Sequence, residues 1–313
     1  MEAARLAPDA TLRARGIVPP SKLPIYGALP DPWRGRVGLR RPRRWLDALA
    51  FERRHNSSCP VGASTVNFYP MRPGPNSSMA LILPRVGARI GHWPRVDQLT
   101  LAWDTGTWFS PRALGQLPDA AINRRCVDIS KTTVDKLWAE AAGYSITVDP
   151  LATEGPMVVK PDLNGKHGGR VVTGPIDRRE PGMVYQRLVD GRVPDGRILQ
   201  LRVVIVGSRI IFTYAKWHPY PKWFSGTELT LPRPSDEFLS SAEQDLLLRF
   251  AAAIGLEYGE LDTLRDRDSG LIYVVDANRT PVRPRALDEA LHDDAFGPQA
   301  EALAAILRHR DRA

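Results

Sequence analysis

Cysteine is scarce in this chain. Only Cys59 and Cys126 occur among 313 residues, far apart and without Cys-X-X-Cys or nearby histidine spacing. Two isolated cysteines argue against a disulfide framework and against a zinc site, and we expect both thiols to be buried. A Ser-His-Asp or Cys-His signature is also missing, which argues against catalysis by a side-chain nucleophile.

Long apolar runs are absent as well, since no stretch of 18 or more apolar residues occurs. The first thirty residues contain Glu2, Asp9, three arginines and several prolines instead of the apolar core of a secretory signal. We therefore expect a cytoplasmic protein without a membrane span or a membrane partner.

The composition, 43% hydrophobic and 25% charged, is typical of a soluble globular protein with a real core. The net charge is +8, and much of the excess lies early in the chain, at Arg34, Arg36, Arg40, Arg41, Arg43, Arg44, Arg53 and Arg54. No zinc-finger or RNA-recognition signature accompanies this cluster. We therefore expect a solvated basic face, and nucleic acid is not an expected partner.

The first part of the chain is irregular. Prolines and arginines dominate residues 1–60, where only the segment 43–54 has a helical pattern, and we expect loops around it. Apolar runs at 79–91 and 98–109 predict strands of a small α/β unit, with Trp103 and Trp108 in its core. The composition changes near 114–126 and indicates a domain boundary.

A helix follows this boundary. Ser130 or Thr132 caps it and Gly143 ends it. A β-rich run then leads to Lys160, and the loop after it contains three glycines before a second strand begins. Glycines let backbone N–H groups approach an anion, and a lysine neutralises its charge, so this pattern favours a polyphosphate site. It is not the GxxxxGK[ST] phosphate loop.

Three consecutive strands are predicted within 183–216. Arg202 stands among apolar residues in the second strand, opposite in phase to Leu201 and Val203, which makes it a candidate for the wall of a polar cleft. Lys216 ends the third strand. An amphipathic helix, 241–255, comes next, and further helix closes the chain.

The segment 254–284 reads as a hairpin with acidic residues at its end. Alternation predicts that Ile272, Val274, Asp276 and Asn278 share one face, with Asp262 on the facing strand. Two carboxylates and an amide are oxygen ligands that suit magnesium. The alternative is that Asp276 and Asn278 only end the strand as turn formers.

The order of these features over about 126–290 resembles the ATP-grasp superfamily, in particular carboxylate-amine ligases with a glutathione synthetase-type ATP-binding domain. The motifs that carry the resemblance are a strand lysine with a glycine loop, the segment YQRLV, and the strands GLEYGELD and VVDANRTP. It implies an α+β fold in which two α+β subdomains clamp ATP, preceded by a small α/β N-terminal domain. The implied ranges are 1–125 for the N-terminal part and 126–313 for the ATP-grasp domain, with a lid subdomain at about 145–190 and a central subdomain at about 191–300.

The resemblance also implies roles for individual residues. Lys131, or alternatively Lys136, and Lys160 resemble the phosphate lysines, and Arg202 and Lys216 resemble the cations that hold the γ-phosphate and the activated acyl group. The residues that resemble the remaining nucleotide contacts are Asn164, Gly165, His167, Gly168 and Gly169 in the lid loop, Gln186, Arg187 and Leu188 in the adenine hinge, and Asp190 at the ribose. Asp262, Asp276 and Asn278 resemble the magnesium ligands, although the superfamily most often has Glu at Asp276 and an acidic residue at Gln186.

The implied activity is ATP- and Mg²⁺-dependent ligation of a small-molecule or peptide carboxylate to an amine or similar nucleophile through an acyl phosphate. Two alternatives stay open: a kinase for a small-molecule hydroxyl on the same fold, and a catalytically silent ATP-binding regulatory protein. The acid, the nucleophile and formation of a homodimer are left open by the sequence.

Overall fold

The computed structural model describes residues 40–166, 168–222 and 226–310. The helix predicted at 43–54 is present as α1, Arg40–Ser57. Arg53 and Arg54 are exposed on it, as expected for a solvated basic face. The loops predicted before α1, with Arg34 and Arg36, lie outside the described residues.

A three-stranded parallel sheet follows, in the order β2-β1-β3. Its strands are β1 (Thr65–Pro70), β2 (Arg89–Gly91) and β3 (Leu99–Trp103). The strand prediction for 79–91 is wrong in its first part, which forms helix α2, Met79–Val86. Met79, Ile82 and Leu83 recur at helical spacing and are buried on one face, so packing favours a helix over the β propensity of the run.

The prediction that both tryptophans lie in the core is correct for Trp103, which is buried, and wrong for Trp108, which is 45% exposed. Trp108 lies beyond the last residue of β3, where the chain turns and the alternation of the strand no longer applies. A short helix, α3 (Pro111–Leu114), comes next. Of the two cysteines, Cys126 is buried and Cys59 is half-buried.

Helix α4, Lys131–Ala142, begins and ends at the predicted residues. The Thr133 amide donates to Ser130 Oγ at its start, and Gly143 adopts a left-handed conformation at its end. An antiparallel sheet follows, which we call the lid sheet, in the order β5-β4-β6. Its strands are β4 (Gly155–Pro161), β5 (Arg170–Gly174) and β6 (Met183–Arg187).

The five-stranded antiparallel sheet, which we call the main sheet, has the order β11-β10-β7-β8-β9. Its strands are β7 (Ile198–Val206), β8 (Arg209–His218), β9 (Leu229–Arg233), β10 (Tyr258–Arg265) and β11 (Ile272–Asn278). Helix α5 (Ser241–Ile254) precedes β10 and starts with a capping box between Ser240 and Glu243. Helix α6 (His292–Arg310) ends the described chain, and short 3₁₀ helices lie at Ser235–Glu237 and Glu289–Leu291.

The two faces of the main sheet have different surroundings. One face is mostly apolar and packs against α4 and α5, as Trp138 and Phe250 illustrate. The other face is apolar only at one end, where Val206 and Tyr258 pack against Phe296 of α6 and against the parallel sheet β2-β1-β3. The rest of this second face carries polar and charged side chains. Among the described helices, none is long and apolar enough to cross a membrane.

At Gly259, β10 lies very close to the end of β11. A Cβ at this position would lie 2.4 Å from the backbone oxygen of Asn278 on β11. Gly259→Ala should therefore displace the end of β11 and lower the free energy of unfolding by about 1 to 3 kcal/mol. Gly74→Ala is the matched control, because a Cβ at Gly74 meets nothing within 4 Å. Urea unfolding measures both variants, and equal stabilities would contradict the close approach.

Candidate functional site

Polar side chains of four neighbouring strands project from the second face of the main sheet. Side chains directly opposite each other in an antiparallel ladder point to the same side. The opposed pairs are Arg202 with Asp262, Asp262 with Asp276, Glu260 with Asn278, and Gln200 with Lys216. We call these seven residues, together with His218, the charged face. The predicted acyl-group cations and metal ligands therefore lie on one surface.

A β-bulge at Val275 decides which way Asp276 points. Positions 262 and 263 of β10 pair with Asp276 and Val274, so Val275 is an extra residue on β11. The prediction that Ile272 and Val274 share a face with Asp276 is therefore wrong. Both lie in the core beneath the sheet, while Asp276 and Asn278 lie on the charged face. Strict alternation fails here because the bulge shifts its phase by one residue.

Arg202 lies at the centre of the charged face. Its Nε and Nη2 donate to the two carboxylate oxygens of Asp262 at 2.7 and 3.0 Å, and its Nη1 lies 3.3 Å from Glu260 Oε2. Burial alone would raise the pKa of Asp262, but Arg202 and Lys216 outweigh it and lower that pKa to about 2. Burial raises the pKa of Glu260 to about 7 in spite of the nearby guanidinium. The Arg202–Asp262 pair is therefore fully ionised at neutral pH.

Lys216 occupies the neighbouring position on β8. Its Nζ donates to Gln200 Oε1 at 3.2 Å, and His218 Nε2 lies 3.1 Å from the same oxygen. Sequence reasoning missed Gln200, His218 and Glu260. Their spacing was a signal in the sequence, because each of the three stands two residues along its strand from Arg202, Lys216 or Asp262 and so shares a face with it.

Two lysines approach the charged face from other elements. Lys131, the first residue of α4, has its Nζ 3.9 Å from Asp276 Oδ1 and 3.2 Å from the Leu163 carbonyl oxygen. Lys160 of the lid sheet donates to the Val275 carbonyl at 3.0 Å. Burial lowers the pKa of Lys160 to about 8, although Asp276 opposes the shift. Lys136, the alternative to Lys131, is exposed on α4, so the geometry favours Lys131.

The predicted metal ligands offer oxygen atoms of the type that magnesium prefers. The buried Oδ1 of Asp276 has no hydrogen-bond partner among the described residues. Asn278 Oδ1 accepts from the Thr280 amide at 3.0 Å, a turn contact that leaves its second lone pair available. In the described part of the chain, no three His, Cys, Asp or Glu side chains are grouped as metal ligands. Asp276 and Asn278 therefore each keep an acceptor position for magnesium, whereas a metal at Asp262 would share that carboxylate with Arg202.

Solved structures share this architecture. The chain aligns with the ATP-grasp ligase PsnB in complex with a phosphomimetic variant of its minimal precursor, Mg and ADP, at a TM-score of 0.52 and 14% identity, over 78% of this chain and 98% of PsnB. The PsnB complex with precursor peptide PsnA2 and AMPPNP gives 0.50 and 14%, over 78% and 96%. The chain has the ATP-grasp fold. An alignment with PsnB and its minimal precursor, at 0.41 and 19%, spans 59% of this chain and 63% of that chain. No family model and no curated protein matches the sequence.

The predicted adenine hinge lies at the end of β6. Gln186 is buried, and Arg187 Nη1 donates to the Tyr273 hydroxyl of β11 at 2.6 Å, which ties the lid sheet to the main sheet. Leu188 follows directly. Asp190 is paired with Arg192 at 2.5 Å and with Arg267 at 3.4 Å. Its role at the ribose stays a prediction, as do the hinge contacts.

The predicted lid loop, 164–169, is anchored at its first residue. The Asn164 amide donates to Thr107 Oγ1 at 2.9 Å, a contact with the loop after β3. Gly165 has a φ of 65° and its missing Cβ faces open space, so the backbone is free to approach a ligand there. His167 lies outside the described residues. The role of residues 164–169 as a phosphate lid stays a prediction.

Arg279, directly after β11, connects the site to the loop that follows β3 and to the segment before α4. Sequence reasoning missed this residue. The side chain is completely buried and lies 4.1 Å over the ring of Phe109. Its guanidinium donates to four backbone carbonyls, those of Asp104, Gly106, Cys126 and Val127. Satisfied donors make burial of this cation tolerable. Arg279 thus fixes the position of the segment that follows the predicted metal ligands.

A cavity of about 490 Å³ lies away from the charged face. Val159, Val172 and Tyr185 line it, and the alternation of the lid sheet places them on the side opposite to Lys160. This cavity is therefore on the outer side of the lid sheet and is separate from the converging lysines.

Lys160 should destabilise the ligand-free protein, because its cation is buried without a hydrogen-bonded carboxylate. Its pKa of about 8 lies below the unfolded value of about 10.4, so the unfolded state binds more protons between these limits. The cost is therefore fully present below pH 8 and disappears as the pH rises towards 10.4. Lys160→Met should raise the free energy of unfolding by about 1 to 3 kcal/mol at pH 7, with a smaller gain at pH 9.5.

Lys136→Met is the matched control, since it removes an exposed lysine from the same region. Chemical denaturation at several pH values measures both variants. A Lys160→Met protein that is less stable than the parent at pH 7 would show that Lys160 supports the fold.

Proposed function

We propose that the chain is an ATP- and Mg²⁺-dependent ligase that joins a carboxylate to an amine or similar nucleophile through an acyl phosphate. The observation that carries the proposal is the convergence of four cations, Lys131, Lys160, Arg202 and Lys216, with the carboxylates of Asp262 and Asp276. PsnB, an ATP-grasp ligase of the same fold, is bound to Mg, ADP and a variant of its precursor, and this supports the proposal.

The cations have separable roles in this reaction. Lys131 and Lys160 come from a helix and from the lid sheet, and they neutralise the phosphates of ATP from two sides. Arg202 and Lys216 project from the main sheet, where they hold the transferred phosphate and the acyl oxygen. Fixed charges in a buried site need little reorganisation when charge develops on the reacting oxygens.

The substrate supplies its own nucleophile. Its carboxylate oxygen attacks the γ-phosphorus and ADP leaves; the amine then attacks the acyl carbon, phosphate leaves, and the amine loses a proton. No side-chain nucleophile is required, in agreement with the sequence. Magnesium bound at Asp276 and Asn278 would supply charge neutralisation on the phosphate oxygens.

Hydroxylamine identifies the reaction class. Incubation with ATP, Mg²⁺ and a panel of acids should yield a hydroxamate for the true substrate, because hydroxylamine traps an acyl phosphate. Arg202→Lys should lower hydroxamate formation strongly, since Lys lacks the two-pronged geometry of the guanidinium. A stable phosphoester would indicate a kinase instead, and ATP binding without turnover would indicate a regulatory protein; either result contradicts the proposal.

Asp276→Asn and Asn278→Ala should separate metal binding from folding. Each variant should melt near the parent temperature without ligand, because neither side chain is packed in the core under the sheet. Saturation at 100 times Kd stabilises a protein by about 2.7 kcal/mol, and both variants should lose most of the part that Mg²⁺ adds to ADP. Differential scanning calorimetry with ADP, with and without Mg²⁺, measures it. Retention of the full Mg²⁺ effect would remove these residues from the metal site.

A further inference from the structure

Glu260 is a buried carboxylate to which the proposed reaction assigns no role. It is 1% exposed, and neither of its oxygens has a hydrogen-bond partner among the described residues. The nearest cation is Arg202, whose Nη1 lies 3.3 Å from Oε2. A buried carboxylate without hydrogen bonds is costly, so the ligand-free arrangement leaves Glu260 with unused capacity to accept them.

Asp262 differs from Glu260 in its hydrogen bonds. Both of its oxygens already accept hydrogen bonds from Arg202. A divalent cation at Asp262 would meet a guanidinium on the same two oxygens, and the two positive charges repel each other. This repulsion would weaken the contact between Arg202 and Asp262. A guanidinium with no other partner would lose its position beside the transferred phosphate.

Glu260 stands where it can receive this guanidinium. It lies two residues from Asp262 on β10, about 7 Å along the strand, and on the same face. Arg202 already spans both carboxylates, so a small shift exchanges one partner for the other. We propose that Glu260 is a positioning residue that takes over Arg202 when Asp262 binds metal, and so keeps the guanidinium on the charged face. This inference rests on the proposed function.

Nucleotide binding with and without metal tests the inference. The measured quantity is the ratio of the Kd for ADP in EDTA to the Kd for ADP in saturating Mg²⁺, obtained by calorimetry. In Glu260→Gln, Arg202 loses its second charged partner and stays on Asp262, where it competes with the metal. The ratio should fall about tenfold, the size of an ordinary coupling between contacting charged groups, while the Kd in EDTA rises by less than threefold.

Two further variants exclude a structural effect. Asp245→Asn removes a carboxylate from the exposed side of α5 and should leave the ratio unchanged. In an Arg202→Lys background the guanidinium fork is absent, so adding Glu260→Gln should change the ratio by less than twofold. Glu260→Met, which has a similar volume, replaces Glu260→Gln if the latter does not fold, and the same fall in ratio is expected.

The outcomes are distinct. An unchanged ratio in Glu260→Gln, an equal loss of affinity with and without metal, or the same effect in the Arg202→Lys background would each overturn the positioning role. A parent protein that binds no ADP in the presence of Mg²⁺ would overturn the proposed function, and this inference with it.

Discussion

The ion pair between Arg202 and Asp262 is the interaction on which the site depends. It joins β7 to β10 in the middle of the main sheet, where both groups are largely removed from water. A buried charge is costly unless it is paired, and breaking such a pair costs several kcal/mol. The same strand pairing that places Arg202 opposite Asp262 also sets the positions of Glu260, Asp276 and Lys216 on this face.

The main sheet can hold so many charges because only one of its faces has to form a core. The face against α4 and α5 is mostly apolar, and its burial supplies the stabilisation. The charged face draws instead on cations from separate elements, with Lys131 at the start of α4 and Lys160 in the lid sheet. The charges of residues that are distant in the sequence therefore neutralise one another. The site forms only when the two sheets and α4 are packed together.

Sequence reasoning predicted the regular parts of this arrangement. The cap at Ser130, the strand that carries Lys160, and the hairpin of β10 and β11 follow from local patterns and are present. Three features depended on tertiary packing and were missed. The apolar run at 79–86 became a helix, the bulge at Val275 shifted the phase of β11, and Arg279 found four carbonyls in segments more than 150 residues away.

The candidate site shows the same division. The pattern points to Asp276 and Asn278 because they end an apolar strand and to Asp262 because it lies on the facing strand, and the structure brings the three together on one face. The spacing of Glu260 from Asp262 predicts that both share a face, but the sequence does not show that the buried Glu260 carboxylate lacks a hydrogen-bond partner. The lid and hinge residues were assigned from resemblance, and their roles depend on a nucleotide.

A crystal structure with ADP and Mg²⁺ would locate both ligands relative to the charged face. We expect the phosphates between Lys131 and Lys160, with the metal on Asp276 and Asn278 of the charged face. A nucleotide in the cavity on the outer side of the lid sheet, or a metal bound away from Asp276, would contradict the proposed function.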